Sequence, residues 1–294
     1  MRVHLVDGTY ELFRQFHAPR PGHRDGDGVE VGATRAVVMS IMAMLEEGAT
    51  HVGVATDHVI ESFRNDMWET YKTGAGVAPV LLAQFPWLED ALRALGVAVW
   101  AMVEYEADDA LASAAAVAAA DPRVEEVVIC TPDKDLGQCV GDSVVQLDRR
   151  NDRLLDAEGV RAKFGVPPAS IPDWLALTGD TADGFPGLPG FGAKTASALL
   201  ARYGHVEAIP DDPREWDVAG LRGVDRLAAT LRAGREVALL FKDLATLRTG
   251  VPVGTVDEWE WRGPAPGFDD WCDRFGSRRL ADRARALATS RGHR

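Results

Sequence analysis

Through the first half of the chain, short β-branched and aliphatic runs alternate with longer stretches of helical periodicity, the βαβ pattern of a parallel sheet covered by helices. Strands are predicted at residues 3–6, 51–55, 97–102, 127–130 and 144–147. Helices are predicted at 32–47, at 84–95 with Gly96 as the stop, and at 107–120, with a short helix over 134–139. Near Pro167 and Pro168 the character changes: β-branched runs disappear, and residues 174–178, 194–203, 225–231 and 235–246 all carry helical periodicity. The pattern predicts an α/β domain over residues 1–166 and an all-helical domain over 167–294. Residues 20–28, rich in glycine and charge, read as a surface loop whose Asp25-Gly-Asp-Gly stretch lacks the later ligands of a calcium loop.

Composition narrows the class. At 294 residues, 46% hydrophobic and 26% charged, the chain is an ordinary globular protein, which excludes wholesale disorder and fibrous architectures. The longest apolar run, residues 110–120, is too short and too rich in alanine to span a bilayer, and Asp7 interrupts any secretory signal, so a cytoplasmic protein without membrane contact is expected. Cys130, Cys139 and Cys272, odd in number and without C-x-x-C spacing, are expected to be buried reduced thiols. A formal charge of −13 argues against binding a polyanion through a bulk positive field, unless the acids are gathered around cations that neutralise them.

The acids are gathered. Asp7 and Asp57 follow the first two strands and Asp133 and Asp135 follow the strand at 127–130, so an open parallel sheet would place all four at its carboxyl ends. Glu106, Asp108 and Asp109 open the alanine-rich helix, and Asp180 and Asp183 lie in Thr178-Gly-Asp-Thr-Ala-Asp-Gly. Taken singly, each is equally a helix cap or a turn residue. Jointly, nine carboxylates without accompanying His or Cys suit hard divalent cations rather than zinc, and such paired sites hydrolyse phosphodiesters. Directly after them, Gly187-Leu-Pro-Gly-Phe-Gly-Ala-Lys-Thr-Ala has the form of a helix-hairpin-helix turn, in which glycines let backbone N–H groups approach a phosphate at a helix start.

At this point the chain resembles the bacterial 5′-3′ exonuclease and flap endonuclease family, the nuclease that also forms the N-terminal domain of DNA polymerase I. The resemblance runs in order through Leu5-Val-Asp-Gly, Phe13-Arg-Gln-Phe-His-Ala, Ser62-Phe-Arg, Tyr71-Lys, Tyr105-Glu-Ala-Asp-Asp, Thr131-Pro-Asp-Lys-Asp-Leu, Leu175-Ala-Leu-Thr-Gly-Asp and the hairpin, over about residues 3 to 249. It implies a PIN-like parallel-sheet nuclease core followed by a helical DNA-binding region with a helix-three-turn-helix. It also implies a stand-alone, monomeric, metal-dependent nuclease of replication and repair that cleaves DNA near 5′ flaps, overhangs or nicks. One metal group would contain Asp7, Asp57, Glu106, Asp108 and Asp109, the second Asp133, Asp135, Asp180 and Asp183, holding two or more Mg²⁺ or Mn²⁺ ions. Arg64 and Lys72 would be catalytic, supplying positive charge beside the scissile phosphate. Phe13, Arg14, Gly190, Gly192, Lys194 and Thr195 would contact DNA, with K⁺ at the hairpin turn.

Two departures from the family pattern bear on function. Phe13 stands where many members have a tyrosine, and after Tyr71-Lys, where an arginine is usual, the chain has Ala75 followed by residues 76–82 without a basic side chain. A separate positive segment, residues 273–294, carries seven arginines against two aspartates. A DNA-structure-binding protein with weak cleavage and a PIN-like ribonuclease are the two rival readings. Each Lys or Arg that neutralises a phosphate adds about one to the slope of log affinity against log salt. Ala75→Arg is therefore expected to tighten flap binding in Ca²⁺ and steepen that slope by about one; an unchanged slope would show that position 75 does not meet the DNA.

Overall fold

The computed structural model describes residues 1–19 and 22–293; Arg20 and Pro21 of the expected loop at 20–28, and Arg294, lie outside the described residues. In chain order the elements are β1 (Arg2–Asp7), α1 (Gly8–Phe16), α2 (Gly32–Glu46), β2 (His51–Asp57), α3 (Arg64–Met67), α4 (Pro79–Leu82), α5 (Gln84–Leu95), β3 (Ala98–Met102), α6 (Ala107–Ala120) and β4 (Glu126–Cys130). They continue with β5 (Val144–Asp148), β6 (Arg153–Leu155), α7 (Ala157–Phe164), α8 (Ile171–Thr178), α9 (Ala193–Tyr203), α10 (Val224–Ala245), α11 (Phe268–Arg274) and α12 (Arg278–Ser290). The chain divides into two compact units, both discontinuous: Met1–Ile60, Gly74–Thr131 and Thr249–Arg294 form one, Glu61–Thr73 and Pro132–Arg248 the other. This partition by packing differs from the sequential division into 1–166 and 167–294.

In the first unit β1 pairs in parallel with both β2 and β4, and β2 with β3. β2 is buried at every position, as expected of a strand covered on both faces. The alanine-rich helix α6 packs on β1, β2 and β4, its small side chains letting the helix lie close to the sheet. Gly53 in β2 makes room for the Trp100 indole of β3: a Cβ there would lie 2.1 Å from Trp100 Cη2. Trp100 Nε1 in turn donates to the Val253 carbonyl at 2.9 Å, as does Trp259 Nε1, and the two indoles meet edge to face at 5.3 Å. The chain after residue 249 thus returns to complete this unit, with α12 against α2 and α11 against α5.

That return groups the arginine-rich segment with the first unit by packing. Arg274 pairs with the buried Asp25 at 2.6 Å, Arg283 with Glu46, Arg278 with Asp273 and Arg285 with Asp269 and Asp282, while Arg291 donates to the Leu45 and Ala49 carbonyls. Asp25 also accepts the N–H groups of Asp27 and Val29, which accounts for the Asp25-Gly-Asp-Gly stretch without a cation.

The second unit contains the antiparallel β5–β6 hairpin and helices α7 to α10, with α8 packed between α9 and α10. Neither β6 nor α7 is evident from the hydrophobic pattern, because β6 is three residues long and α7 buries only Val160 and Phe164. The helices expected at 225–231 and 235–246 are one continuous α10. Gly234 lies inside it with Leu188 packed against it: a Cβ there would meet Leu188 Cδ2 at 2.9 Å. Cys130 and Cys272 are buried free thiols as expected, whereas Cys139 is only half-buried. Among the described residues no helix is long and apolar enough to cross a membrane. Gly53→Val, which forces the Trp100 indole out of its seat, is expected to lower stability by about 3 kcal/mol in urea unfolding. Gly141→Ala, with open space around it, should change stability by less than about 0.5 kcal/mol.

Candidate metal centre

In the second unit the trio Asp135, Asp180 and Asp183 offers carboxylate oxygens that all lie within 4.8 Å of one another. Asp135 opens a 3₁₀ turn, Asp135–Cys139, set up by Asp133, whose Oδ1 accepts the Asp135 N–H at 3.0 Å. Gln146 of β5 holds the Asp133 carbonyl, and Gln138 ties the turn to the end of α10 through the Ala245 carbonyl at 2.9 Å. Asp180 and Asp183 stand on the loop after α8. Its ends are pinned by a two-way backbone bridge between Asp180 and Phe185, at 2.8 and 3.0 Å.

Glycines permit that loop. Gly179 and Gly187 lie so close that a Cβ on Gly187 would fall 2.3 Å from the Gly179 nitrogen, and both have positive φ. At Gly184, also at positive φ, a Cβ would fall 1.9 Å from the Thr70 carbonyl oxygen. The 61–73 segment is stitched along the same loop: Lys72 N–H donates to the Asp183 carbonyl at 3.0 Å, and Trp68 Nε1 and Thr70 Oγ1 donate to the Gly184 carbonyl. Lys72 Nζ thereby stands 3.8 Å from Asp183 Oδ1.

Electrostatically the trio is under strain. Burial first, then the charges of Asp133, Asp183 and Asp180, push the Asp135 pKa well above the usual carboxylate range, with Lys134 acting in the opposite sense. Lys134 Nζ lies 2.5 Å from Asp180 Oδ2, and although burial works against its ammonium, this pairing and the neighbouring acids raise its pKa. Asp135 Oδ1 is buried without a hydrogen-bond partner. A buried carboxylate oxygen that no protein donor satisfies, within reach of two more carboxylates, fits a hard divalent cation. Lys134, paired with Asp180, is part of this cluster and was not singled out from sequence; its signal there was a lone cation inside an acidic motif.

The acids of the first unit are arranged differently. Asp7 and Asp57 end the neighbouring parallel strands β1 and β2. Asp7 accepts from Tyr10 N–H at 2.8 Å and from Thr131 Oγ1 at 2.9 Å; Asp57 Oδ1 accepts the Ala107 N–H at the start of α6 at 2.7 Å. Glu106 caps α6 in a capping box with Asp109, whose Oδ2 accepts the Glu106 N–H at 3.1 Å, and Asp108 sits in the same first turn. Strand ends and helix start thus gather these five at one end of the sheet. Among the described residues they do not form a trio as close as that of the second unit.

Arg64 and Lys72 part company. Arg64 is 1% exposed, and its Nε and Nη2 donate to the Leu244 and Thr246 carbonyls at 2.7 and 3.2 Å, closing the C-terminus of α10. Lys72 keeps a partly exposed ammonium beside Asp183. In the first unit Phe13 is half-buried edge-on against Phe85, with centroids 6.2 Å apart, and Arg14 pairs with the buried Glu11. In the hairpin, Gly190 has φ +87 and Gly192 precedes the first turn of α9; both are exposed, as is Lys194, while Thr195 is half-buried. Gly192 has ordinary φ, and nothing lies within 4 Å of where a Cβ would stand, so the fold does not require a glycine there.

Comparison with known proteins agrees with this architecture. Residues 2–165 match the family model for the 5′-3′ exonuclease N-terminal resolvase-like domain, and residues 166–266 that for the 5′-3′ exonuclease C-terminal SAM fold. DNA polymerase I of Rhizobium leguminosarum is 34% identical over 258 residues, 85% of this chain but 25% of that protein, so the chain spans about a quarter of such relatives. A 5′-3′ exonuclease of Aquifex aeolicus is 33% identical over 209 residues, 70% of this chain and 71% of that protein. T5 5′-exonuclease with bound zinc has the same fold, with a TM-score of 0.66 at 18% identity over 98% of this chain and 99% of that one. So has the catalytic core of Rad2 in complex with DNA substrate, with a TM-score of 0.62 at 15% identity over 97% and 92%. Matched by both family models in sequence order, the chain belongs to the 5′-3′ exonuclease family.

Proposed function

We propose that the protein is a monomeric cytoplasmic flap endonuclease and 5′-3′ exonuclease that hydrolyses DNA phosphodiesters near 5′ single-strand/duplex junctions, using Mg²⁺ or Mn²⁺. The observation that carries this reading is the buried Asp135, Asp180, Asp183 trio with its unsatisfied Asp135 oxygen, in a member of this family. Asp133 joins that ligand group, and Asp7, Asp57, Glu106, Asp108 and Asp109 form the other. Bound there, divalent cations supply charge stabilisation for the scissile phosphate and a lowered pKa for the attacking water.

The remaining chemistry belongs to the chain. Lys72, held beside Asp183 by its own backbone bond, offers a positive charge to the phosphate as charge develops in the transition state. Arg64, whose Nε and Nη2 donate to the Leu244 and Thr246 carbonyls, is the second catalytic cation of this reading, adding positive charge beside the scissile phosphate. The exposed N–H groups around Gly190 and Gly192, with Lys194 and Thr195, hold a phosphate of the duplex at the start of α9, and K⁺ at that turn adds a further contact. Phe13 offers a face to a base and Arg14 a charge to the strand. The helix-hairpin-helix favours duplex DNA over the ribonuclease reading, and the retained acids favour turnover over binding alone.

Three outcomes test this. With 5′-flap DNA and Mg²⁺ or Mn²⁺, Asp135→Asn or Asp133→Ala should cut single-turnover cleavage by about 100-fold or more; wild-type rates in both would overturn the assignment. Removing the buried charge should make Asp135→Asn more heat-stable than wild type in EDTA, while abolishing the rise in Tm that millimolar Mn²⁺ gives the wild type. Gly192→Val should leave the melting temperature within a few degrees of wild type yet weaken flap binding by about tenfold, read by anisotropy in Ca²⁺.

A further inference from the structure

The first unit carries a concavity of opposite charge to the acids. A cavity of about 540 Å³ is lined by Arg35 and Met39 of α2, by Arg278, Arg279, Leu280 and Arg283 of α12, and by the chain before α12, including one acid, Asp273, which pairs with Arg278. Four guanidiniums around one cavity stand out in a chain of formal charge −13. Two are braced by acids: Arg278 Nε lies 2.6 Å from Asp273 Oδ1, and Arg283 grips Glu46 through two nitrogens. Arg35 Nε donates to Ser277 Oγ at 2.8 Å, which turns that hydroxyl away from capping α12. The helix therefore starts with no side-chain cap and no acid in its first turn, beside the cavity. Arg279 is exposed and has no ion-pair partner among the described residues.

We propose that this cavity binds a nucleoside 5′-monophosphate. Guanidiniums match phosphate oxygens in pairs, and the uncapped start of α12 adds a favourable dipole and N–H groups to the same anion. The volume exceeds what a bare phosphate fills and lies within the range of small-molecule sites. Met39, 40% exposed, and Leu280 supply an apolar wall for a base, on which an arginine plane stacks. A long strand would also meet the net negative charge beyond the cavity, whereas a compact dianion interacts within about one Debye length, roughly 10 Å, of the four arginines. Both family models end at or before residue 266, ahead of α12, and the site uses none of the acids of the metal centre.

The test is calorimetric titration of the full chain in EDTA, so that neither cleavage nor the metal centre contributes and the nuclease reading can fail independently. The probe is 2′-deoxyadenosine 5′-monophosphate, compared with deoxyadenosine, inorganic phosphate and an unphosphorylated oligothymidylate. Binding of the monophosphate is expected, about tenfold or more tighter than that of nucleoside or phosphate. Arg279→Ala and Arg35→Ala should each weaken it by about tenfold, with Arg214→Ala in the second unit as an unchanged control. Arg279→Ala removes an exposed, unpaired side chain, so its fold is preserved and circular dichroism verifies this. Unaltered affinity in Arg279→Ala, inorganic phosphate bound as tightly as the monophosphate, or the oligothymidylate bound as tightly through the same arginines would each overturn the proposal.

Discussion

Three carboxylates whose oxygens lie within 4.8 Å repel one another, and burial removes the water that would screen them. The local architecture of the second unit supplies the opposing constraint. The loop that carries Asp180 and Asp183 is closed by a backbone bridge, folded on itself by glycines at 179 and 187, and laced to the 61–73 segment through the Asp183 and Gly184 carbonyls. The Asp135 side is fixed by the 3₁₀ turn and by Gln138 and Gln146. None of these restraints uses the Asp135 Oδ1 oxygen, which leaves it available to a cation. Lys134 beside Asp180 and Lys72 beside Asp183 partly neutralise the cluster, which backbone geometry holds in place.

The acids of the first unit solve a different problem. A carboxylate at the end of a buried strand needs hydrogen-bond donors, and α6 provides them: its first N–H binds Asp57, and its capping box engages Glu106 and Asp109. The same side chains that start the helix are those that the family resemblance names as ligands. Capping and metal binding are compatible here, because a carboxylate has lone pairs beyond those a single N–H occupies. Oriented side chains lose less freedom on binding any ligand, and these caps orient the acids.

Arg64 and Lys72 show how differently burial seats two basic residues that the family resemblance groups together. Both are basic residues in segments that carry the family resemblance, yet one is buried against the carbonyls that end α10 and the other leaves an ammonium beside Asp183. The buried guanidinium donates to carbonyls at the end of a helix, whereas the ammonium stays partly exposed next to an acidic loop. The arginines of α11 and α12 divide in the same way, with most braced by acids and Arg279 turned to the cavity.

The amino-acid sequence by itself determined the elements with strong periodicity and the family. The strands of the parallel sheet, the Gly96 stop after α5 and the bounds of α6 follow from patterning that any single segment displays locally. The nine acids were legible because Asp and Glu recur at strand ends and helix starts in numbers that capping alone does not need. What only the tertiary structure decided depends on contacts between residues far apart in sequence. Position 234 falls between two predicted helices until Leu188 is seen packed against a continuous one, and the partners of the arginine-rich terminus, Asp25 and Glu46, come from segments far away in sequence. Likewise, of the nine acids only Asp135, Asp180 and Asp183 emerge as a close trio, because the distance between side chains more than forty residues apart is set by loop glycines and backbone bridges, not by local propensity.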